Sequence, residues 1–434
     1  MYEIDYGPDP GLLKWQRGVH VYDQKIVTPA FILFGLLAFV GVGLSVIRLF
    51  GGLAFTGMHD TYAWGIWKTF NVMTLTALGS GGFAIGIAAW IFDWKRLHLV
   101  MRTALLTSLL FYWAGLVALG IDVGRPWNFY NIIFLTTWNG HSALLEVSVC
   151  MTAYAVVFLL FENIPPIYER AFISSPPERR KWLAKGLPII KSIYPYMVAA
   201  AYILPMMHQS SLGALMLLAG PKLHPLWQTQ FLPLLYVIQA GVAGTACVLF
   251  TLMAGCLYWR RPLDTRVLAD LALLMIGCAF AFIGIRWLDI LVRGDLPLAL
   301  DFSDKLVWVF HAENALVLLP SLVLLSKRFR HSPRYLFKTS VAICLGAMMY
   351  RFVPTTISFV PGLQEAVGQY QIYFPSFAEV LMSMGYIALT VVGFSAAVKL
   401  FAIFPAPLGT WYEAVTAARA SDIKVDIHGK ASDD

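Results

Sequence analysis

From residue 27 to residue 403 the chain alternates long apolar runs with short polar breaks. A helix needs roughly 20 apolar residues to cross the hydrocarbon of a bilayer, and inside lipid its backbone must be satisfied by its own hydrogen bonds. Ten runs of suitable length fall near 27–50, 64–92, 103–121, 139–161, 192–219, 232–259, 267–292, 306–326, 339–360 and 375–403. They predict an all-α polytopic membrane protein with about ten transmembrane helices and no soluble domain left over. Composition agrees, with 59% hydrophobic and 13% charged residues in 434 and a mean hydropathy of +0.68.

The net charge of +7 adds orientation rather than a nucleic-acid surface, because the basic residues fall in alternate loops instead of one patch. Twenty Lys and Arg lie in the amino-terminal segment and the even-numbered loops, against five in the odd-numbered loops. The positive-inside bias then predicts a multi-pass protein of the cytoplasmic (inner) membrane with both termini in the cytoplasm. Residues 1–26 form a cytoplasmic segment too polar for a signal peptide, so the first membrane helix is expected to direct insertion. A basic cytoplasmic loop is expected at 162–191, where "PPERRKWLAKG" would rest on anionic lipid. The polar stretch 404–434 reads as a disordered cytoplasmic tail.

Several chemistries are excluded. Cys150, Cys247, Cys256, Cys278 and Cys344 all fall in predicted helices without a C-x-x-C pair, which argues against an iron–sulfur cluster or zinc in this chain. Phosphate-cradling glycine loops and nucleophile elbows are missing, so ATPase and hydrolase readings have no support.

Ionisable groups inside the spans carry the remaining information, since each costs about 2.5 to 3.5 kcal/mol at the bilayer centre unless paired or employed. His208, in "LPMMHQSSLGALMLLAG", lies roughly 16 Å below the outer surface. As a haem ligand it would need a second histidine at its own depth; His141 and His311 differ from it by roughly 13 Å and 8 Å, so no haem is expected. Proton relay and simple hydrogen bonding between helices stay open for it. Arg286, Asp289 and Glu313 lie at similar depth and can neutralise one another, and Arg351 with Glu379 is a second conceivable pair.

In the first four helices the polar groups gather toward the outer face. Asp122 and Arg125 with Trp127 close the third helix, Tyr112 lies about ten residues further in, His141 stands at the mouth of the fourth, and Glu146 lies roughly 10 Å down with Lys68 or a bound ligand as its candidate partner. Asp122, Arg125 and Trp127 also suit a surface ion pair and an aromatic belt. The stretch "TALGSGG" around Gly79, Gly81 and Gly82 either permits close helix packing or makes room for a flat ligand.

The motifs "WGIWKTFNV", "IDVGRPWN", "LLEVSVCMTAY", "LPMMHQSSLGALMLLAGPKLHPLWQ" and "YFPSFAEVLMS" together resemble the NrfD/PsrC superfamily of quinone-interacting membrane subunits, most of all its HybB-like branch from periplasmic nickel–iron hydrogenases. The resemblance spans about 27–403. It implies two four-helix bundles plus two additional helices, placed at 27–161, 192–326 and 339–403. It further implies a quinone, menaquinone or ubiquinone, bound in the first bundle near the outer face. Electrons would pass between it and a periplasmic ferredoxin-like iron–sulfur subunit of a nickel–iron hydrogenase, making this chain a non-autonomous part of a hydrogen:quinone oxidoreductase. Tyr112, Asp122, Arg125, Trp127 and His141 are the expected quinone-site residues, and Glu146 and His208 the expected proton carriers; at 141 the family pattern has Asn. Related subunits serve sulfur- or multihaem-cytochrome-linked complexes, which is the alternative within the family, and a secondary transporter with a midplane site is the alternative outside it.

Overall fold

The protein is described by a computed structural model over residues 25–58, 65, 67–123, 125–139, 142–259, 265–358 and 373–404. Among these residues the long helices are α1 (Pro29–Gly51), α2 (Thr69–Ile91), α3 (Met101–Asp122), α4 (Leu144–Glu162), α5 (Pro177–Leu217), α6 (Leu232–Tyr258), α7 (Thr265–Arg293), α8 (Lys305–Leu325), α9 (Pro333–Phe352) and α10 (Phe377–Leu400). Eight of them are long and apolar enough to cross a membrane, and α5 makes nine if its two bent limbs form one span. The chain is an integral membrane protein. The ninth expected span, α9, is 20 residues long and carries Arg334, Lys338 and Arg351, charges that lower its hydropathy; it is packed between α6 and α8.

Local chemistry explains most boundaries. Thr28 caps α1, its hydroxyl accepting from the Phe31 N–H at 3.2 Å, with Pro29 as the first helical residue. Ser376 and Glu379 form a reciprocal capping box at the start of α10. The expected ninth span, 339–360, stops instead at Phe352, because Pro354 has no N–H with which to continue the helix.

Three expectations need correction. Segment 162–191 is helical rather than a loop: Ile164–Ser174 forms one helix and α5 begins at Pro177. The limbs Lys181–Ile190 and Ser192–Leu217 meet at 51°, where the ring of Pro195 crowds the carbonyl four residues earlier. The second correction is to α2, which is not one continuous α-helix. It turns at Gly79 and Ser80 between the α-helical pieces Leu75–Leu78 and Gly81–Gly86, with wider π turns over Trp67–Thr74 and Ile87–Ile91. Such wide turns recur at functional sites.

The third correction concerns which helices associate. There are still two four-helix groups and two further helices, but membership shifts by one: α2 to α5 pack together, α6 to α9 pack together, and α1 lies along α10, which rests on α3. Gly41 and Gly385 account for the α1–α10 contact, since a Cβ on either would lie 2.5 Å from the other's Cα. The Ser45 and Tyr386 hydroxyls meet beside it at 2.8 Å. The two groups touch where α6 lies against α2 and α5. There Gly81 and Gly244 let the backbones meet, a Cβ on Gly244 falling 2.2 Å from the Gly81 nitrogen. Of the two readings of "TALGSGG", close packing therefore holds at Gly81.

Candidate functional site

Among the described residues the α2–α5 group holds a buried polar layer whose members come from three helices. His208 and Gln209 on α5, Thr76 and Ser80 on α2 and Tyr112 on α3 are all inaccessible to solvent. His208 Nδ1 lies 3.1 Å from the Val147 carbonyl of α4, which can only accept, so that nitrogen carries a proton. Nε2 lies 3.3 Å from the Thr76 hydroxyl. Gln209 spends both amide hydrogens, one on Thr76 Oγ1 at 3.2 Å and one on the Tyr112 hydroxyl at 3.4 Å. The Tyr112 proton is then left to point at Ser80 Oγ, 3.5 Å away, and Ser80 donates to the Thr76 carbonyl at 2.8 Å.

Thr76 is the pivot of this layer. Its hydroxyl also reaches the Val72 carbonyl at 2.6 Å, yet it has one proton to give. With neutral His208 that hydroxyl proton has two acceptors to choose between, the Val72 carbonyl at 2.6 Å and Nε2 at 3.3 Å. With His208 doubly protonated, Nε2 donates and the threonine proton turns to Val72. The layer can thus hold an extra proton with no heavy atom moving.

Immediately beside it, toward the end where the odd-numbered loops lie, is an apolar cleft lined by Val72, Met73, Leu119, Leu144, Val147, Leu212 and Leu215. Val72 and Val147 belong to both, lining the cleft with their side chains and bonding the layer with their carbonyls. The cleft has a cavity volume of about 10 Å³, room for a single water and far below the 300 Å³ or so at which ligand sites begin, so an aromatic ring enters only where Met73, the half-buried Leu215 and their neighbours move apart. The Gln209 carbonyl Oε1 and the Asn71 carbonyl Oδ1 have no partner among the described residues. A buried acceptor left unpaired costs about 1–3 kcal/mol, which a hydroxyl or water at this place would recover.

The sequence-predicted residues divide. Tyr112 and His208 meet in the layer, their ring centroids 5.5 Å apart, and Tyr154 stands edge-on to Tyr112 at 4.8 Å. Arg125 and Trp127 are exposed in the segment after α3, and Asp122 is half-buried at the end of that helix. Glu146 needs correction. The α-helix there starts at Ala143, capped by Ser142, so Glu146 lies about one turn in, exposed, where the helix dipole favours a carboxylate. His141 and the side chain of Lys68 lie outside the described residues. Gln209 and Thr76 were missed because neutral polar residues give no charge signal in an apolar run.

The α6–α9 group is built differently. Arg286 is bonded to the Glu313 carboxylate, which also accepts from Trp227 Nε1 at 3.1 Å, and Arg286 reaches Asn314 at 3.3 Å. The expected Arg286–Glu313 pair is therefore present. Arg351 does not pair with Glu379: it donates to Gln239 Oε1 and the Tyr236 carbonyl, each at 2.6 Å, and lies 3.9 Å over the Tyr236 ring. Glu379 is engaged by the Ser376 and Gly57 N–H groups and by the Tyr373 hydroxyl, at 2.7, 2.8 and 2.9 Å. Asp289 pairs with Arg293 at 2.9 Å rather than with Arg286.

No three His, Cys, Asp or Glu side chains gather as metal ligands among the described residues. Haem does not fit the layer either, because both His208 nitrogens face other partners and His311 Nε2 is held by the Ala299 carbonyl at 2.8 Å.

One family and three individual proteins are similar to this chain. Residues 54–360 match the family described as "Polysulphide reductase, NrfD". The "Probable Ni/Fe-hydrogenase 2 b-type cytochrome subunit" of Escherichia coli (strain K12) is 32% identical over 387 residues, 88% of this chain and 94% of that protein. The "b-type cytochrome" in its name stands against the expectation that no haem is bound. The "Menaquinone reductase, integral membrane subunit" of Nitratidesulfovibrio vulgaris is 25% identical, covering 85% of this chain and 90% of its own. The "Hdr-like menaquinol oxidoreductase integral membrane subunit" of Archaeoglobus fulgidus is 21% identical over 85% and 92%. With its helical architecture and a family match across most of its spans, the chain belongs to the NrfD family of membrane subunits.

Proposed function

We propose that this protein is the quinone-reactive membrane subunit of an oxidoreductase complex, that quinone binds in the cleft of the α2–α5 group, and that the His208–Thr76–Gln209–Tyr112 layer handles its protons. The observation that carries the reading is the contact between an apolar cleft and a buried, uncharged, incompletely bonded polar layer: the cleft supplies apolar walls that part to admit a flat ring, and the layer offers hydrogen bonds to ring oxygens. A quinone supplies two-electron chemistry that consumes two protons. The relatives named for menaquinone and menaquinol support that substrate class.

The residues divide the work. Tyr112, held by Gln209, keeps its hydroxyl within the layer beside the cleft, and the Thr76–His208 contact stores or releases a proton. Asp122, Arg125 and Trp127, with His141, belong to the rim, and Glu146 joins them there as a negative charge rather than as the deep relay. Exposed Trp127, Tyr130, Ile133 and Phe134 give that end an apolar, aromatic surface for a partner bearing iron–sulfur clusters. In this reading the partner is the ferredoxin-like subunit of a nickel–iron hydrogenase, supported by the E. coli relative's name, and the odd-numbered loops face the periplasm while both termini face the cytoplasm. No haem takes part.

Quinone binding by the purified chain tests the site. Isothermal titration with a short-chain menaquinone analogue should show saturable binding that Leu215→Trp, which fills the cleft edge, weakens about tenfold or more, the effect of losing roughly 1.4 kcal/mol. Equal affinity in both proteins would place the quinone elsewhere.

A further inference from the structure

Three buried glutamates occur in the described helices, and one of them has nothing to hold it. Glu313 has Arg286 and Trp227; Glu379 caps α10 and bonds Gly57 and Tyr373. Glu162, the last residue of α4, is 3% exposed, yet no hydrogen bond or ion pair reaches its carboxylate from the described residues. A buried carboxyl without partners is costly, and a structural role would be served as well by an apolar side chain.

Its neighbours share the peculiarity. The Tyr202 hydroxyl on α5 is buried and lacks a hydrogen-bond partner among the described residues, the Tyr154 hydroxyl on α4 is buried with only the Ser108 hydroxyl beside it, and Glu162 acts electrostatically on both phenols. Gly86 makes room for the second: a Cβ there would sit 2.8 Å from the Tyr202 hydroxyl oxygen. Ser108 on α3, accepting from the Gly82 N–H at 2.9 Å, adjoins Tyr154. Tyr154 in turn meets Tyr112 edge-on. These groups form a column inside the α2–α5 group, running from the end where the even-numbered loops lie up to the layer beneath the cleft.

We infer that Glu162 is the proton-loading group of this protein: it takes protons from water at the even-loop end and passes them by way of Tyr154 and Tyr202 to Tyr112 and His208. The inference rests on the quinone reading above and adds a side and a starting residue. Glu162 and Tyr154 are eight residues apart, roughly 12 Å along the helix, so internal water bonded to the two phenols completes the path. For each quinone reduced, two electrons arrive from the iron–sulfur partner and two protons leave the Glu162 carboxyl in succession. Each breaks its O–H bond there and is replaced from the even-loop side, so the charge on Glu162 is restored after every transfer.

The test uses the complete complex purified from its own cells and reconstituted in phosphatidylethanolamine–phosphatidylglycerol vesicles, with a pH-sensitive dye trapped inside or added outside. The expected result is proton uptake from the even-loop face. Glu162→Gln should cut kcat for quinone reduction at least ~10-fold with KM for quinone unchanged, and Glu162→Asp should recover most of the rate. Tyr154→Phe, which keeps the ring and its packing, should give a smaller loss in the same direction. Uptake from the odd-loop face, or an unchanged kcat in Glu162→Gln, overturns the relay while leaving the quinone site standing. Unchanged quinone affinity in Leu215→Trp removes the site and the relay together.

Discussion

The two four-helix groups bury comparable numbers of polar side chains and treat them in opposite ways. The α6–α9 group buries charged side chains among its polar ones, and both buried arginines have acceptors: Arg286 with Glu313, Arg351 with Gln239 and a backbone carbonyl. In the α2–α5 layer the side chains are neutral or titratable, their contacts with one another are long at 3.2–3.5 Å, and they are set beside a cleft. Strong short-range pairing fixes helices against each other, whereas weak, reversible bonds around a threonine with one proton and two acceptors suit a group that must change protonation state. The difference favours α6–α9 as scaffold and α2–α5 as the proposed working group, although the charges in the sequence draw attention to the former.

Mutations can break or sharpen this contrast. The largest effect on stability is expected for Glu313→Ala, which leaves Arg286 buried without its carboxylate; thermal unfolding in detergent should show a loss of about 3–5 kcal/mol. Gly81→Val comes next, because its Cβ would lie 2.7 Å from the Gly244 carbonyl oxygen and force α2 away from α6, at a cost of about 1–3 kcal/mol. Tyr112→Phe should change stability by only about 1 kcal/mol or less while lowering quinone turnover at least ~10-fold, measured as kcat of the complete complex. Glu146→Gln should be nearly silent in both assays, since the side chain is exposed in the first turn of its helix. If Tyr112→Phe instead unfolds the protein and Glu313→Ala spares it, the roles of the two groups are reversed.

Much of the architecture could be read from the chain because lipid enforces helix length. Most of the ten expected spans coincide with observed helices to within a few residues, and the exceptions have local causes. Pro354 stops α9, Pro195 bends α5, and the glycines of "TALGSGG" let α2 turn and touch α6. Depth along the helix was enough to foresee the Arg286–Glu313 pair, since both residues fall at the same level on helices joined by a short connection. It was not enough for Arg351, because its partner Gln239 is neutral and 112 positions away. The same blindness hid Thr76 and Gln209. It also hid the pairing of α1 with α10, which depends on two glycines meeting across 344 residues. Glu146 misled because the start of its helix was placed too early, turning a residue of the first turn into a deep one.

The central claim, that quinone binds beside the His208–Tyr112 layer, is tested most directly by photolabelling the purified protein with an azidoquinone and locating the adducts by peptide mass spectrometry. The account expects adducts on Met73, Leu119, Leu212 or Leu215, suppressed by excess menaquinone analogue. Adducts confined to α6–α9, or cleft adducts that the analogue does not displace, would contradict it.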